Sequence, residues 1–380
     1  MTPRPRRRYE LQDPELNMAV EALVERAEGL YGDSGDAEYV RQIVVSAIRL
    51  MRDGASRGDL KLINHTLKEL RHSFRVFAPY RQLRKVAIFG SARTAADHPD
   101  WKQAYDFAER MAAAGWMTIT GAGDGIMGAA QGGAGREASF GVNIRLPFEQ
   151  DANEVIAGDH KLISFRYFFT RKVTFVKEAH AIALFPGGFG THDEGFEALT
   201  LIQTGKSEIL PIVFVDAPGG SYWEAWERYL QSHLCARSLI SNHDLALFKI
   251  TDDVEDAVLE ILNFYSNYHS SRYVEDLLVL RVRQAPDSGQ LDELNGSFGD
   301  ILSEGRIDVG QALPLEASEA EHYPRVTLHF NRRDVGRLRM LIDRLNSFVA
   351  ERAAPPLDAS PHEIVEEPLP LDEETAQESG

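Results

Sequence analysis

Short apolar runs alternate with segments of helical periodicity along most of the chain from residue 85 onward. The runs are rich in β-branched residues and lie at residues 86–89, 117–120, 141–146, 161–163, 181–185, 209–215 and 245–250. Between most of them the apolar residues return to helical spacing, near residues 99–114, 126–137, 165–178, 191–204, 222–233 and 254–267. This alternation predicts a parallel sheet with helices on both faces, because parallel strands need crossovers and are buried on both sides. The predicted fold class is therefore α/β, with a doubly wound, mostly parallel, Rossmann-like sheet.

Different patterns flank this predicted sheet. Residues 14–77 keep apolar residues at helical spacing and contain no catalytic spacing, which predicts an N-terminal helical layer or an oligomer contact. Near the C-terminus, strand patterns at 274–282 and 326–330 and helical patterns at 288–304 and 334–350 predict a small β-α-β-α unit that packs on the main domain or on a second subunit. The predicted divisions are a basic flexible arm (1–13), an N-terminal helical region (14–80), a Rossmann-like domain (81–270), a small α/β unit (271–350) and an acidic disordered tail (351–380).

The charge of the chain is unevenly distributed. The formal net charge is −17, and residues 351–380 carry nine acidic residues against one base, with five prolines and few apolar groups. Such a tail cannot offset the entropy cost of ordering, so we expect it to be disordered. Arg4, Arg6, Arg7 and Arg8 oppose it at the N-terminus. The rest of the chain is acidic, however, and lacks the basic footprint of a nucleic-acid-binding protein.

The composition excludes several other classes of protein. No apolar run approaches the roughly 18–20 residues that span a bilayer. No apolar core follows the basic start of the sequence, so a secretory signal is not predicted either. A single cysteine, Cys235, excludes an internal disulfide and leaves too few thiolates for a structural zinc site. We expect a soluble, cytoplasmic protein that binds neither nucleic acid nor membrane.

Candidate chemistry lies in the turns after three predicted strands, because open α/β sheets bind ligands at the carboxyl ends of their strands. The first turn is Gly90-Ser91-Ala92-Arg93. Its glycine lets a ligand approach the backbone, and its serine and arginine can hold a hydroxyl or a phosphate. A purely structural turn fits these residues equally well.

The second turn, at residues 120–130, contains a GxGxxG pattern between a strand and a helix. The glycines are Gly123, Gly125 and Gly128, and an acid, Glu149, follows Gly128 by 21 residues. This context fits a dinucleotide site, although the turn follows the second strand of the domain and not the first. The other interpretation is close helix–strand packing around a tight turn.

The third turn, at residues 186–194, is the most specific signal in the sequence. Its glycines, Gly187, Gly188 and Gly190, allow several backbone N–H groups to point at one ligand. Thr191 is the predicted N-cap of the following helix, and a helix N-terminus favours an anionic group. We therefore predict that a phosphate binds at this loop.

Glu194, at the end of this turn, admits two interpretations. Thr191 and Glu194 have the spacing of a capping box, in which the glutamate bonds back to the N-cap amide. Alternatively, Glu194 lies one helical turn beyond the phosphate, roughly 4.5 Å along the axis, which places it beside the glycosidic carbon of a bound ribose. A carboxylate at the positive end of a helix should remain ionised at neutral pH, which suits stabilising an oxocarbenium ion or steering a water molecule.

A basic pair, Arg171 and Lys172, lies upstream on a predicted helix. The two side chains project about 100° apart, so they reach one site only through their long stems, and otherwise they form a solvated face. A Schiff-base role for Lys172 lacks a cofactor pocket that can be read from the sequence. A metal site at His192-Asp193-Glu194 is disfavoured because adjacent helical residues diverge.

Four segments together resemble the LOG ("lonely guy") family of phosphoribohydrolases, whose members were often labelled lysine-decarboxylase-like. They are GSAR at 90–93, TGAGDGIMGAAQGGA at 120–134, FFTRK at 168–172 and PGGFGTHDE at 186–194, and the resemblance covers about residues 85–265. It implies a Rossmann-like homodimer that hydrolyses the N-glycosidic bond of nucleoside 5-monophosphates to free base and ribose 5-phosphate, without a cofactor or a metal ion. Family substrates include cytokinin riboside monophosphates and purine or pyrimidine monophosphates.

The resemblance also implies roles for individual residues. The family's catalytic arginine and glutamate fall on Arg171 and Glu194, and its RK lysine falls on Lys172. Many members have a second glutamate where this chain has Asp193. The phosphate-binding loop and the other predicted substrate-binding residues are Gly187, Gly188, Gly190, Thr191, Gly90, Ser91, Gly123, Gly125 and Asp193.

Three functions follow from these patterns. The leading hypothesis is a nucleotide 5-monophosphate nucleosidase in which Arg171 holds the ribose or the leaving base, while Glu194 stabilises the ring cation and orients water. The alternative is a non-catalytic mononucleotide-binding sensor that uses the same loops. An NAD-dependent oxidoreductase ranks last because no hydride-transfer acid or base is evident. The added regions at 14–80 and 271–350 leave the preferred base open.

Overall fold

The computed structural model describes residues 9–32, 35–145, 152–313 and 322–351. These residues divide into two compact units, one ending at Leu70 and the other beginning at Arg71. The first eight residues of the basic arm, the tail from residue 352 and Glu149 lie outside the described residues.

The helices predicted within residues 14–77 are present. Helix α1 (Pro14–Tyr31) begins where the carboxylate of Asp13 accepts two backbone hydrogen bonds, an N-cap of the preferred chemistry. Helices α2 (Ala37–Arg52) and α3 (Arg57–Phe77) follow. None of the helices in the described ranges combines the length and the apolar character that a bilayer crossing requires.

Strands and helices alternate in the second unit, as predicted. The elements are β1 (Lys85–Phe89), α4 (Pro99–Ala113), β2 (Met117–Thr120), α5 (Ile126–Ala134), β3 (Ser139–Ile144), β4 (Leu162–Phe165), α6 (Phe168–Glu178), β5 (Ala181–Leu184), α7 (Phe189–Gln203), β6 (Ile212–Val215), α8 (Tyr222–Tyr229), β7 (Phe248–Thr251) and α9 (Val254–Phe264). Within the described residues these strands form one seven-stranded sheet in the order β4-β3-β2-β1-β5-β6-β7. All neighbouring pairs are parallel. The predicted α/β, Rossmann-like fold class is confirmed.

Apolar cores cover both faces of this sheet. Ile88 and Phe89, adjacent in β1, belong to different cores because successive strand residues point to opposite faces. Helices α4, α5 and α9 pack on one face, and α6, α7 and α8 pack on the other. Burial on both faces makes the strand sequences continuously apolar, which is why the pattern predicted them.

The C-terminal region forms a second sheet. Its elements are β8 (Tyr268–Val274), β9 (Leu277–Val282), α10 (Ser288–Phe298), β10 (Leu302–Gly310), β11 (Arg325–Phe330) and α11 (Val335–Glu351). In the part of the chain that the structure describes, the strands pair antiparallel in the order β10-β11-β9-β8. Leu280, Val326 and Leu341 belong to the same apolar core as Phe214 of β6. The C-terminal region therefore packs on the main sheet.

This region has two more strands, β8 and β10, than the predicted β-α-β-α unit. The strand predicted at 274–282 is divided by a hairpin turn at Glu275, whose φ is 56°. The helix predicted at 288–304 ends at Phe298, and β10 follows it. Most side chains of β10 are exposed, so this strand carries no apolar alternation that would distinguish it from a solvated helix.

The strand order creates a crevice at the carboxyl edge of the main sheet. From β1 the chain moves outward to β4 on one side and then returns to β5, on the other side of β1. Such a reversal is the point at which open α/β sheets bind ligands. The loops after β1 and β5 meet there, since the Ser91 N–H donates to the Pro186 carbonyl at 3.1 Å.

Candidate functional site

Three loops converge at this crevice. They are residues 90–93 after β1, 121–125 after β2 and 186–190 after β5, and we call them the glycine loops. The Ser91 carbonyl accepts a hydrogen bond from the Ile126 N–H at 3.0 Å, which joins the first loop to the second. A Cβ at Gly125 would lie 2.3 Å from the Ser91 carbonyl oxygen, and its φ is 62°. Only glycine permits this close approach.

Packing explains the other glycines of the first two loops. A Cβ at Gly90 would lie 2.6 Å from a side-chain carbon of Ile126, and one at Gly123 would lie 2.8 Å from Met127. Asn153 orders the second loop further, because its Nδ2 donates to two loop carbonyls at 3.1 and 2.9 Å. These contacts match the close-packing interpretation of the GxGxxG pattern.

Helix α7 begins three residues earlier than predicted. Its N-cap is Gly188, and the amides of Thr191 and His192 donate to the Gly188 carbonyl at 3.1 and 3.3 Å. Thr191 is therefore inside the helix, and Glu194 is the sixth helical residue. The predicted N-cap and capping box are wrong, because Thr-x-x-Glu has the same spacing whether it starts a helix or lies within one.

The glycines of the third loop have contrasting surroundings. A Cβ at Gly187 would lie 2.1 Å from Thr191 Oγ1, so the loop closes there only around glycine. At Gly188 and Gly190, apart from the adjoining residues and the backbone of α7, no atom of the described residues lies within 4 Å of the Cβ position. The loop surface is open at these two residues, and the amides of a first helical turn lack intrahelical acceptors. An anionic ligand suits this arrangement.

Arg171 reaches the glycine loops from α6. Its Nε donates to the Val142 carbonyl of β3 at 2.9 Å, and its guanidinium carbon lies 5.2 Å from the centroid of the Phe175 ring. A Cβ at Gly121 would lie 2.5 Å from Arg171 Nη2. The guanidinium group therefore lies against the second glycine loop, at the carboxyl edge of the sheet.

Lys172 turns the other way, toward α7. Its Nζ lies 2.6 Å from Glu197 Oε2, 2.9 Å from Asp193 Oδ2 and 3.7 Å from Glu194 Oε2, and we call these four residues the lysine cluster. Burial lowers the pKa of Lys172, but its hydrogen bonds to Glu197 and Asp193 outweigh burial, so the pKa is raised overall. A Schiff-base role needs a neutral amine, and this environment favours the ammonium form.

Glu194 is the least exposed carboxylate of the lysine cluster. Its side chain is 11% exposed. Burial raises the pKa of Glu194, and the charges of Lys172 and Arg171 partly oppose that rise. The helix N-terminus was predicted to keep this carboxylate ionised, but Glu194 lies beyond the first turn, where that effect has faded. The two cations support the charged form instead, and such a carboxylate can stabilise a cationic sugar or accept a proton.

A cavity of about 770 Å³ lies beside the lysine cluster. It runs between α6 and α7, and its lining includes Phe169, Lys172, Glu197 and Tyr265. Glu194 and the glycine loops are not among its lining residues, so this cavity adjoins the candidate site at Lys172 and Glu197. Across the described ranges, no group of His, Cys, Asp and Glu side chains is arranged to hold a metal ion.

Three residues that contact the glycine loops or Lys172 were not predicted from the sequence: Asn153, Glu197 and Tyr222. The Tyr222 hydroxyl donates to the Gly187 carbonyl at 2.5 Å and lies 2.7 Å from His192 Nε2. Each of the three contacts its partner across 25 or more residues of sequence. No local spacing signals such contacts, which arise only when the strand ends meet.

One family model matches part of the chain. Residues 125–261 match the family described as "Possible lysine decarboxylase". The predicted resemblance is confirmed over this region, and the match fits a nucleotide-related function. No curated protein gives a significant match.

Several solved structures are similar to part of this chain at low sequence identity. The chain is similar to the molybdenum cofactor carrier protein of Chlamydomonas reinhardtii, with 20% identity, coverage of 48% of this chain and 99% of that chain, and a TM-score of 0.34. The chain is also similar to the molybdenum cofactor binding protein of Rippkaea orientalis, with 18% identity, coverage of 47% of this chain and 94% of that chain, and a TM-score of 0.32. The structural genomics target TM1055 has 20% identity, with coverage of 46% of this chain and 96% of that chain, and a TM-score of 0.34. TM-scores of this size give no basis for assigning a ligand to this chain.

Proposed function

We propose that this protein hydrolyses the N-glycosidic bond of nucleoside 5-monophosphates, because residues 125–261 match the family described as "Possible lysine decarboxylase" and four segments resemble the LOG family. The products are the free base and ribose 5-phosphate. The observation that carries the proposal is the position of Glu194, a mostly buried carboxylate near Arg171 and beyond the open glycines of the third loop. Decarboxylation through Lys172 is not supported, since the lysine cluster holds that amine in its charged form.

In the proposed complex, the 5-phosphate binds at the start of α7. The backbone at Gly188 and Gly190 is open to a ligand, and the helix N-terminus contributes a partial positive charge. The amide of Thr191 donates to the Gly188 carbonyl, so the phosphate uses the amides that precede it. The negative phosphate then anchors the nucleotide while the sugar extends along α7.

Glu194 acts on the sugar in this proposal. As the bond to the base lengthens, the base leaves with the bonding electron pair and positive charge develops on the ring carbon. The Glu194 carboxylate stabilises that charge, and the oxygen of a water molecule forms the new bond to the same carbon. One proton of the water is transferred to the departing base, which balances the reaction. Arg171 positions the ribose or the leaving base.

The test is release of free base by the purified protein. Incubation with the common mononucleotides and an isopentenylated AMP, followed by chromatography, should show base release from at least one of them. Glu194→Gln should still bind nucleotide but lose about a thousandfold in kcat, the scale expected when one electrostatic stabiliser is removed. Glu224→Gln is the matched control, because this α8 glutamate is exposed and pairs with Arg228 on the same helix.

Two outcomes of this experiment would count against the proposal. Turnover by Glu194→Gln at the wild-type rate would remove Glu194 from the mechanism. Tight nucleotide binding without release of any base across the panel would favour the alternative, a mononucleotide-binding sensor.

The homodimer implied by the family resemblance stays a prediction. Phe168, Phe169 and Val173 of α6 expose apolar side chains, and the cavity beside them is lined in part by Phe169 and Val173. Apolar patches of this kind commonly mark association surfaces. We therefore propose that a second copy covers α6, and light scattering from the purified protein distinguishes a dimer from a monomer.

A further inference from the structure

Tyr222 and His192 form a chain of hydrogen bonds behind the third glycine loop. The Tyr222 hydroxyl lies 2.5 Å from the Gly187 carbonyl oxygen and 2.7 Å from His192 Nε2. A carbonyl oxygen can only accept, so the single hydroxyl proton of Tyr222 points to Gly187. The hydroxyl oxygen therefore accepts from His192, which must carry its proton on Nε2. This assignment of donors and acceptors fixes the direction of both hydrogen bonds of Tyr222.

The peptide bond between Gly187 and Gly188 transmits this contact to the ligand side of the loop. The described residues contain no cis peptide bond. In a planar trans peptide the C=O of one residue and the N–H of the next point in opposite directions. A hydrogen bond that holds the Gly187 carbonyl toward Tyr222 therefore turns the Gly188 N–H away from Tyr222. That N–H has no backbone acceptor within the described part of the chain.

We propose that Tyr222, supported by His192, is a positioning residue that fixes the direction in which the Gly188 N–H is presented to the 5-phosphate of the substrate. The proposal rests on the function proposed above, and it adds two residues that act through the backbone and do not touch the reacting atoms. Tyr222 comes from the start of α8, after the neighbouring strand β6. The phosphate loop is thus held from outside its own sequence segment.

The surroundings of the pair support a fixed geometry. The Trp223 ring is fully buried, and its centroid lies 4.7 Å from that of Tyr222 and 5.5 Å from that of His192. The Trp223 backbone N–H donates to Asp216 Oδ2 at 3.0 Å, which ties the start of α8 to the end of β6. Both polar side chains therefore pack against one fully buried ring.

The ionisation of both groups is compatible with this role. Burial raises the pKa of Tyr222, so the hydroxyl keeps the proton that it donates. Burial lowers the pKa of His192, so the imidazole is neutral at physiological pH. A neutral imidazole with its proton on Nε2 donates this proton to the Tyr222 oxygen, as the hydrogen-bond directions require.

The test separates phosphate binding from turnover. Dissociation constants for AMP and for adenosine, which lacks the phosphate, are measured by calorimetry in a Glu194→Gln background with and without Tyr222→Phe. Loss of one hydrogen bond that orients the loop should weaken AMP binding about five- to tenfold, with adenosine binding unchanged. In the active protein, Tyr222→Phe should raise KM by a similar factor and leave kcat within about twofold. Tyr229→Phe, on the same helix and 52% exposed, is the matched control.

His192 provides the second pair of variants. His192→Leu removes the donor to Tyr222 and should lower the preference for AMP over adenosine, while His192→Gln retains an N–H donor and should restore it in part. If Tyr222→Phe proves unfolded in a thermal melt, the His192 pair decides the question. A merely structural role predicts equal loss of AMP and adenosine binding, and that result would overturn the proposal.

The outcomes also separate this proposal from the proposed function. Wild-type protein that prefers AMP to adenosine but releases no base would refute the hydrolase and leave the role of Tyr222 to the binding data. Base release by wild-type protein, combined with an unchanged AMP preference in Tyr222→Phe, would refute only the positioning role. Wild-type protein without any preference for AMP would refute both.

Discussion

The glycine loops and the lysine cluster lie side by side in the candidate site, yet different kinds of contact hold them. In the loops, backbone hydrogen bonds and missing Cβ atoms determine the geometry, as at Gly125 and Gly187. In the cluster, one ammonium ion and three carboxylates determine it. Loop geometry is insensitive to pH, whereas the charge balance of the cluster depends on it. We infer that the loops supply the shape of the proposed phosphate site and that Lys172 of the cluster favours the charged form of Glu194.

The largest loss of stability and nucleotide affinity is expected in the third glycine loop, which is the most tightly closed. Gly187→Ala places a Cβ 2.1 Å from Thr191 Oγ1, so either the loop or the first turn of α7 must shift. We expect a loss of about 2 kcal/mol in the free energy of unfolding, typical of overpacking, together with loss of most nucleotide affinity. Urea unfolding and calorimetric titration with AMP measure the two effects.

Gly188→Ala is the matched control for this prediction. Apart from its chain neighbours, no atom of the described residues lies within 4 Å of its Cβ position, and its φ of −86° suits any residue. Its unfolding free energy should stay within about 0.5 kcal/mol of wild type, as for other unstrained surface changes, while AMP affinity falls because the methyl group enters the open surface. Equal stability of the Gly187→Ala and Gly188→Ala proteins would show that the loop is not closed as described.

The next effect concerns the lysine cluster and pH. Burial raises the pKa of Glu194, and Lys172 is the stronger of the two charges that oppose the rise. Lys172→Met removes that opposition, so the pKa of Glu194 rises further. The reaction requires the carboxylate, so kcat should begin to fall at a higher pH on the acid side than in wild type. At neutral pH we expect a loss of about tenfold, equivalent to 1.4 kcal/mol of transition-state stabilisation.

Lys177→Met tests whether this shift is specific. Lys177 lies on the same helix but pairs with Glu178 and not with the cluster. Its pH–rate profile should match that of wild type. An acid limb that stays in place in Lys172→Met would mean that the cluster does not control Glu194, and the contrast between shape and charge would then be wrong.

Much of the fold follows from the sequence because the main sheet is covered on both faces. Buried parallel strands such as β5 and β6 are uninterrupted apolar runs with clear turns at their ends. The strands that were not predicted, β8 and β10, are mostly exposed or intermediate in burial. Strand β10 lies at a sheet edge with most side chains in solvent, and β7 starts later than predicted, after a 3-10 helix. Without a buried face, no periodicity distinguishes these segments.

The loops of the candidate site were predictable from local sequence, but the side chains that hold them were not. The strand-end rule brought together the loops containing Ser91, Gly125 and Gly187, and the structure joins them through backbone bonds. The contacts of Asn153 and Tyr222 were not predictable, because they depend on the tertiary approach of segments 30 and 35 residues apart. Local pattern assigns residues to a loop but does not identify what holds the loop.

The smallest effect is expected at Asp193, and it tests how the charge in the cluster is shared. Asp193 is 64% exposed, whereas Glu197 and Glu194 are 31% and 11% exposed. Solvent screens an exposed ion pair, so such pairs contribute little even at a short distance. Asp193→Asn should therefore change kcat and KM by no more than about twofold, and Glu197→Gln should have the larger effect because its bond to Lys172 is shorter and less exposed. Steady-state kinetics of the two variants at low and high salt measure the difference. A tenfold loss of kcat/KM in Asp193→Asn that persists at high salt would show that Asp193 contacts the substrate directly. Asp193 would then belong with the loops that shape the site and not with the cluster that sets its charge.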